Sequence, residues 1–346
     1  VMEEPELTCV RRRSIHPPDS ALLTSLRSHP NVECVKVLSP VLPVLTGASV
    51  AVPFSSCEEM LHYNTDKGLS LSDLAIAYES ARGGLSGDQV LQQMAELVGL
   101  LRESIQAGLD GTEFADRILG CQSGNFVRKH AAGGLADGGA LNLVIPYVTA
   151  LMEAKSSMGL IVAAPTAGAC AGLPGALIGL ADHSDLSDDD VARGMLAAGM
   201  IGVFIAGCST FAAEVAGCQA ECGSASGMAA AGLVQMMGGD VRQALAAASM
   251  ALQNSLGMIC DPVAVRVEVP CLGKNVMAAS NALACANMAL SGYDPVIPLD
   301  EVIETMDKVG RSIPHELRCT GLGGLSVTPS SKRIKRELKD RKEGQA

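Results

Sequence analysis

At 346 residues the chain can hold one large domain or two to three average ones, and its formal net charge of −11 leaves no basic excess to replace phosphate counterions. That excludes a general nucleic-acid binder and leaves small molecules or another protein as partners. Twelve cysteines are too sparse for a disulfide-stapled scaffold, and the opening residues, with Glu3, Glu4 and Arg11–Arg13, lack a secretion-signal pattern, so the expected setting is a reducing cytoplasm with free or metal-bound thiols.

Residues 1–53 read as an N-terminal extension or small accessory unit, with several prolines and a β-branched segment around Val32–Val37 that suits a strand. From Phe54 the texture turns helical. Ser86 with Gln89 three residues on is a capping-box pattern, and Val90, Met94, Leu97, Val98, Leu101 and Ile105 then form one apolar face, with Gly108 as the expected stop. A second helix is expected from about Gly139 to Ala154. Small residues around Pro165 and Gly168 lead into another at Leu173–Leu180.

A further helix starts near Ser187, where Asp188, Asp189 and Asp190 favour its positive end. Asp240 with Gln243 repeats the cap signal before Ala244–Leu256, and Gly257 follows. Leu299–Val309 is a short helix, and residues 331–346 a charged terminal helix or tail, read as a solvated end. The fold class is therefore all-α, a single large helical domain over residues 54–330 behind a short mixed extension.

Mean hydropathy is +0.27, and residues 156–181 and 194–213 are uncharged and each long enough to span a bilayer. Against a membrane stand the absence of Trp, only 3% aromatics, and interruptions at Pro165, Gly168, Gly172, Pro174 and Gly175. Ala- and Gly-rich helices packed closely inside a soluble protein fit better.

Three cysteines sit where the backbone turns and exposes sulfur: Cys218 after Gly217, Cys260 before Asp261-Pro262, and Cys271 after Val269-Pro270. They lack the CxxC spacing of a zinc knuckle, so spacing alone leaves them either buried reduced thiols or converging soft ligands for zinc or an iron–sulfur cluster. The Ala164–Ala169 loop has backbone N–H groups that could receive a carboxylate or sulfide, and Gly321–Leu325 is another glycine turn. His130 is the one histidine in a polar, Gly-flanked setting. There is no GxGxxG, P-loop, HExxH or GxSxG.

Taken together, Ala164–Gly168, Gly217–Glu221 through Gly223–Met228, Cys260–Val263, Val267–Cys271 and Gly321–Leu325 resemble the α chain, or catalytic domain, of the iron–sulfur-dependent L-serine dehydratases. The similarity runs from about Phe54 to Pro329. It implies an all-helical catalytic domain in which Cys218, Cys260 and Cys271 hold a [4Fe–4S] cluster whose open iron binds serine, for β-elimination of water giving pyruvate and ammonia.

Matching motifs and polarity make Thr166, Gly168, Ser224 and Asn275 the candidates for fixing the substrate carboxylate and ammonium. Lys155, Cys222 and Cys319 depart from the family pattern, which leaves L-threonine and L-cysteine open as substrates. The Ser-Ser-His-Thr motif of the family's β domain has no counterpart here. The base is thus unassigned, with His130 the candidate within the chain, and the expected assembly is a homo-oligomer or an α/β complex with a separate β chain. The alternative is a cluster-binding subunit inactive by itself.

Overall fold

The computed structural model of the chain describes residues 18–32, 35 and 50–343, in two units, Val1–Leu45 and Thr46–Ala346. In the first, α1 (Ser20–Arg27) starts where Asp19 accepts from the N–H of Ala21 at 2.9 Å. The Arg11–Arg13 run and most of the strand expected around Val32–Val37 lie outside the described residues.

The second unit is all helix among the described residues, apart from one isolated bridge between Cys260 and Arg318. Its first half holds α2 (Cys57–Tyr63), α3 (Leu71–Gly83), α4 (Gly87–Asp110), α5 (Ser123–Ala131), α6 (Leu141–Ser156), α7 (Gly172–Ser184) and α8 (Asp188–Cys208). The second half holds α9 (Ala213–Ala216), α10 (Ser224–Met236), α11 (Val241–Gln253), α12 (Cys271–Leu290), α13 (Leu299–Ser312) and α14 (Pro329–Glu343).

The helix starts follow from local chemistry. Ser86 with Gln89 and Asp240 with Gln243 form the reciprocal caps expected of them, and Ser70 with Asp73 and Ser187 with Asp190 do the same for α3 and α8. Each satisfies N–H groups that have no partner inside the helix. Val90, Leu97, Val98, Leu101 and Ile105 are buried along α4, the face that the spacing defines.

Gly108 does not end that helix. It stays helical as far as Asp110, because Gly108 is where α4 crosses α6: a Cβ there would lie 2.3 Å from the carbonyl oxygen of Ala150. Both sides of the contact are backbone, so neither can yield. Gly108→Ala is expected to cost about 1–3 kcal/mol or more through overpacking, read as a lower denaturation midpoint; an unchanged midpoint would mean that the two helices can separate freely.

The apolar core is built on α8 and α10, which pack closely on one another, with α10 also against α7, α11 and α12. Alanine and glycine along these helices allow the close approach. One helix, Asp188–Cys208, is long and apolar enough to cross a membrane by length and composition, and 67% of its apolar window is buried inside the unit. It is a core helix here, with Met200, Ile201, Phe204 and Ile205 fully buried.

α11 ends at Gln253, earlier than Leu256, and Gly257 takes φ +80 in the turn that follows. The charged C-terminal segment is helical and docks: Leu338 and Ile334 pack with Val263 and Ala264, and the buried Ser331 hydroxyl accepts from Ala264 N–H at 2.8 Å.

Candidate metal centre

Cys218 arrives through a forced turn. α9 stops at Gly217, whose φ is +71, and Gln219–Gly223 then forms a π-helical turn that runs directly into α10. Such wide turns insert one residue into the ladder and recur at functional sites. Here both Cys222 and Gly223 donate to the Cys218 carbonyl, at 2.9 and 3.3 Å. The buried Gln219 amide fixes the turn, donating to Met306 O at 2.6 Å and accepting from Gly257 N–H at 2.8 Å.

Cys260 lies on the bridge to the 317–319 segment. Next to it, buried Asp261 accepts from Leu325 N–H at 2.9 Å and pairs with the Lys274 ammonium at 3.1 Å, while that ammonium also donates to Ile259 O at 2.6 Å. The Gly321–Leu325 motif is thereby explained: Gly324 has φ +56, and a Cβ on it would stand 2.6 Å from the Asp261 carboxylate. The glycine turn seats the residue after the cysteine.

Cys271 opens α12 after the cis Val269–Pro270 bond. The preceding Glu268 is buried and accepts from Ile118 and Leu119 N–H groups at 3.0 Å, which ties the loop down on the far side.

Cys218, Cys260 and Cys271 are all buried. The sulfurs of Cys218 and Cys260 and a carboxylate oxygen of Glu221 lie within 4.8 Å of one another. The neighbouring thiols of Cys222 and Cys260 hold the Cys218 thiol well below its ordinary range, and their own are correspondingly raised. Burial, with the Cys218 charge next, pushes the Cys271 thiol up to about 12. Against the opposing effect of burial, Cys218 and Asp261 keep Lys274 above its usual value.

Thr166 and Gly168 meet the same place through Glu221. The Thr166 hydroxyl donates to Glu221 at 2.7 Å and accepts from Ala169 N–H at 3.1 Å, in the loop set by the cis Ala164–Pro165 bond. A Cβ on Gly168 would stand 2.8 Å from the same carboxylate, so only glycine lets Glu221 approach. Burial, partly offset by the Thr166 hydrogen bond and reinforced by Cys218 and Glu214, pushes Glu221 up to about 7.

Asn275 is fully buried and its amide is fully engaged. It donates to Gly168 O and Cys271 O, each at 2.9 Å, and accepts from Gly172 N–H at 2.9 Å. It joins the Gly168 loop, the start of α7 and the Cys271 turn. Ser224 is equally buried, yet its hydroxyl has no partner. His130 is exposed in the last turn of α5 and is not among the groups acting on Cys218.

Glu221, Cys222 and Lys274 carry no assigned role in the sequence reading. One signal was present for Glu221: it is the sole charge between Glu214 and Asp240, in an otherwise apolar and small-residue run. An ionisable group kept in such surroundings points to a local partner or a task.

Residues 66–326 match the sequence profile of the family described as serine dehydratase alpha chain. The chain belongs to that family. It is 35% identical over 285 residues to a probable L-serine dehydratase alpha chain of Bacillus subtilis, covering 82% of this chain and 95% of that one. It is 34% identical over 287 residues to the L-serine dehydratase alpha chain of Peptoniphilus asaccharolyticus, covering 82% and 98%. L-serine dehydratase 1 of Escherichia coli is 33% identical over 287 residues, which cover 81% of this chain and 63% of that longer one. The chain thus matches nearly the whole of some relatives and part of others.

The donor set fits an iron–sulfur group. Cys218, Cys260 and Cys271 offer buried thiols from three segments, soft ligands of the kind that iron–sulfur clusters take; Cys218 and Cys260 lie together with Glu221, and Cys271 stands outside that group. The buried hydroxyl of Ser224, two residues after Cys222 in the chain, is a polar atom left without a hydrogen-bond partner.

Proposed function

We propose that the chain catalyses the β-elimination of water from L-serine, giving pyruvate and ammonia, with a [4Fe–4S] cluster held by Cys218, Cys260 and Cys271. The observation that carries this reading is the gathering of the buried Cys218 and Cys260 thiols with the half-buried Glu221 carboxylate within 4.8 Å. Held by these three thiols, such a cluster would supply Lewis-acid chemistry that makes the serine β-hydroxyl a better leaving group.

The protein's part is positioning and proton handling. Lys274 and Asp261 fix the Cys260 turn, and Asn275 holds the Cys271 turn against the Gly168 loop. The N–H groups of the Gly168 loop and the Thr166 and Ser224 hydroxyls are the groups for the substrate carboxylate and ammonium. Glu221, beside the thiols and oriented by Thr166, takes the Cα proton. His130, exposed on α5, is the weaker candidate for that role.

We place the enzyme in the cytoplasm, where reduced thiols persist, as a homo-oligomer or a complex with a separate β chain. The test is iron and sulfide content of anaerobically purified protein, measured alongside pyruvate release from L-serine, with L-cysteine and L-threonine as competing substrates. Iron, sulfide and serine-dependent pyruvate together support the reading; iron-free protein with full turnover overturns it. A second reading, a cluster-binding subunit that needs a partner, draws on the longer single-chain relatives such as that of E. coli. It predicts iron without turnover until the second chain is added.

A further inference from the structure

Cys319 has no part in the reaction just described, yet its placement is closely determined. Its backbone is left-handed, with φ +61, a conformation that residues other than glycine rarely adopt. Its N–H donates to Cys260 O at 2.8 Å, and Cys260 N–H donates to Leu317 O at 2.8 Å. In this bridge Arg318 lies opposite Cys260, and Cys319, one residue on, is the diagonal neighbour; a strand spacing of ~4.8 Å and a rise of ~3.3 Å set such Cα atoms roughly 5.8 Å apart, inside the ~4.4–6.8 Å window of a disulfide.

The Cys319 side chain packs against the buried cluster that contains Cys260, Cys218 and Cys222. Cys260 is buried and Cys319 half-buried. In the connected series Cys222, Cys218, Cys260 and Cys319, the last is the sulfur that a small solute reaches first.

We propose that Cys319 and Cys260 form a peroxide-sensitive pair that closes to a disulfide when the centre holds no metal, withdrawing Cys260 from the ligand set. The second clause rests on the reading of Cys260 as a ligand. A peroxide oxygen is transferred to the Cys319 sulfur, giving a sulfenic acid and one water. The Cys260 sulfur then attacks that sulfur, the S–S bond forms, and the departing hydroxide takes the thiol proton as a second water. Two thiols are oxidised, one peroxide is reduced, and a dithiol reverses the change by exchange.

The test uses the full chain, stripped of iron anaerobically with a chelator, treated with one equivalent of hydrogen peroxide and digested without reduction. The expected product is a peptide pair joined through Cys260 and Cys319, two hydrogens lighter than its parts. Refilling with ferrous iron and sulfide is expected to fall at least about tenfold, the scale on which metal sites respond to lost support, and to recover after dithiothreitol. Cys319→Ser, or Cys319→Ala if the serine variant loses its circular dichroism, is expected to refill equally with and without peroxide.

Cys319 oxidised without a crosslink, or Cys218 joined to Cys222 or Cys260 with Cys319 free, overturns the proposal. A Cys260–Cys319 crosslink with undiminished refilling removes Cys260 from the ligand set. That outcome overturns the ligand reading under which the switch was drawn and leaves the crosslink itself standing.

Discussion

Replacing Cys260 by serine is expected to leave a folded chain that binds no cluster and releases no pyruvate. Serine is nearly isosteric, and the ties around the position survive, since Asp261 still meets Lys274 and Leu325 and the backbone bridge to residues 317–319 makes no use of the sulfur. What goes is a soft donor that iron prefers to a hydroxyl. Loss of a supporting group beyond the ligands already costs about 10–100-fold in metal affinity, and loss of a ligand costs more. The comparison variant is Cys285→Ser. That thiol, on α12, is also buried but meets Asn281 on its own helix and Asn254 at the end of α11, in a different packing cluster from Cys218, so iron and sulfide are expected to remain at wild-type content. Equal losses in both variants would mean that cysteine burial, and not ligation, governs iron content.

Glu221→Gln is expected to lower kcat by about 10²–10⁴-fold, the range attributed to a positioned proton acceptor, with iron and sulfide content unchanged. The amide keeps the size of the side chain, and its oxygen can still accept from the Thr166 hydroxyl, so the Ala164–Ala169 loop retains its anchor. An amide cannot take the Cα proton. Wild-type turnover in this variant would make Glu221 a structural partner of Thr166 and return the search for the base to a partner chain. A fall in iron content parallel to the fall in kcat would instead make Glu221 a ligand.

The caps explain why so much of the helical frame could be read from the chain itself. Ser86 with Gln89 and Asp240 with Gln243 are contacts between residues three apart, and the apolar face of α4 is a matter of spacing, so all three are written locally. Gly108 fails as a stop signal because the same missing side chain permits either a chain reversal or a backbone crossing, and Ala150, its partner, lies far along the sequence.

The site divides in the same way. The turns beside Cys218, Cys260 and Cys271 were visible as Gly and Pro neighbours. Asn275 carried no mark of its several backbone bonds, because they reach Gly168 and Gly172 in a distant segment. The place of Glu221 depends on Thr166, 55 positions away, and that of Cys319 on a bridge that no local pattern announces.

Ala264 and Val265 hold successive left-handed backbones, at φ +51 and +59, and the hydroxyl that receives the Ala264 N–H belongs to Ser331, 67 positions on. The loop between Cys260 and Cys271 is therefore clasped from outside by the last helix. Shortening the protein from that side is expected to loosen the two cysteine turns while α8 and α10 stay intact, so that the damage falls on the candidate site and spares the core.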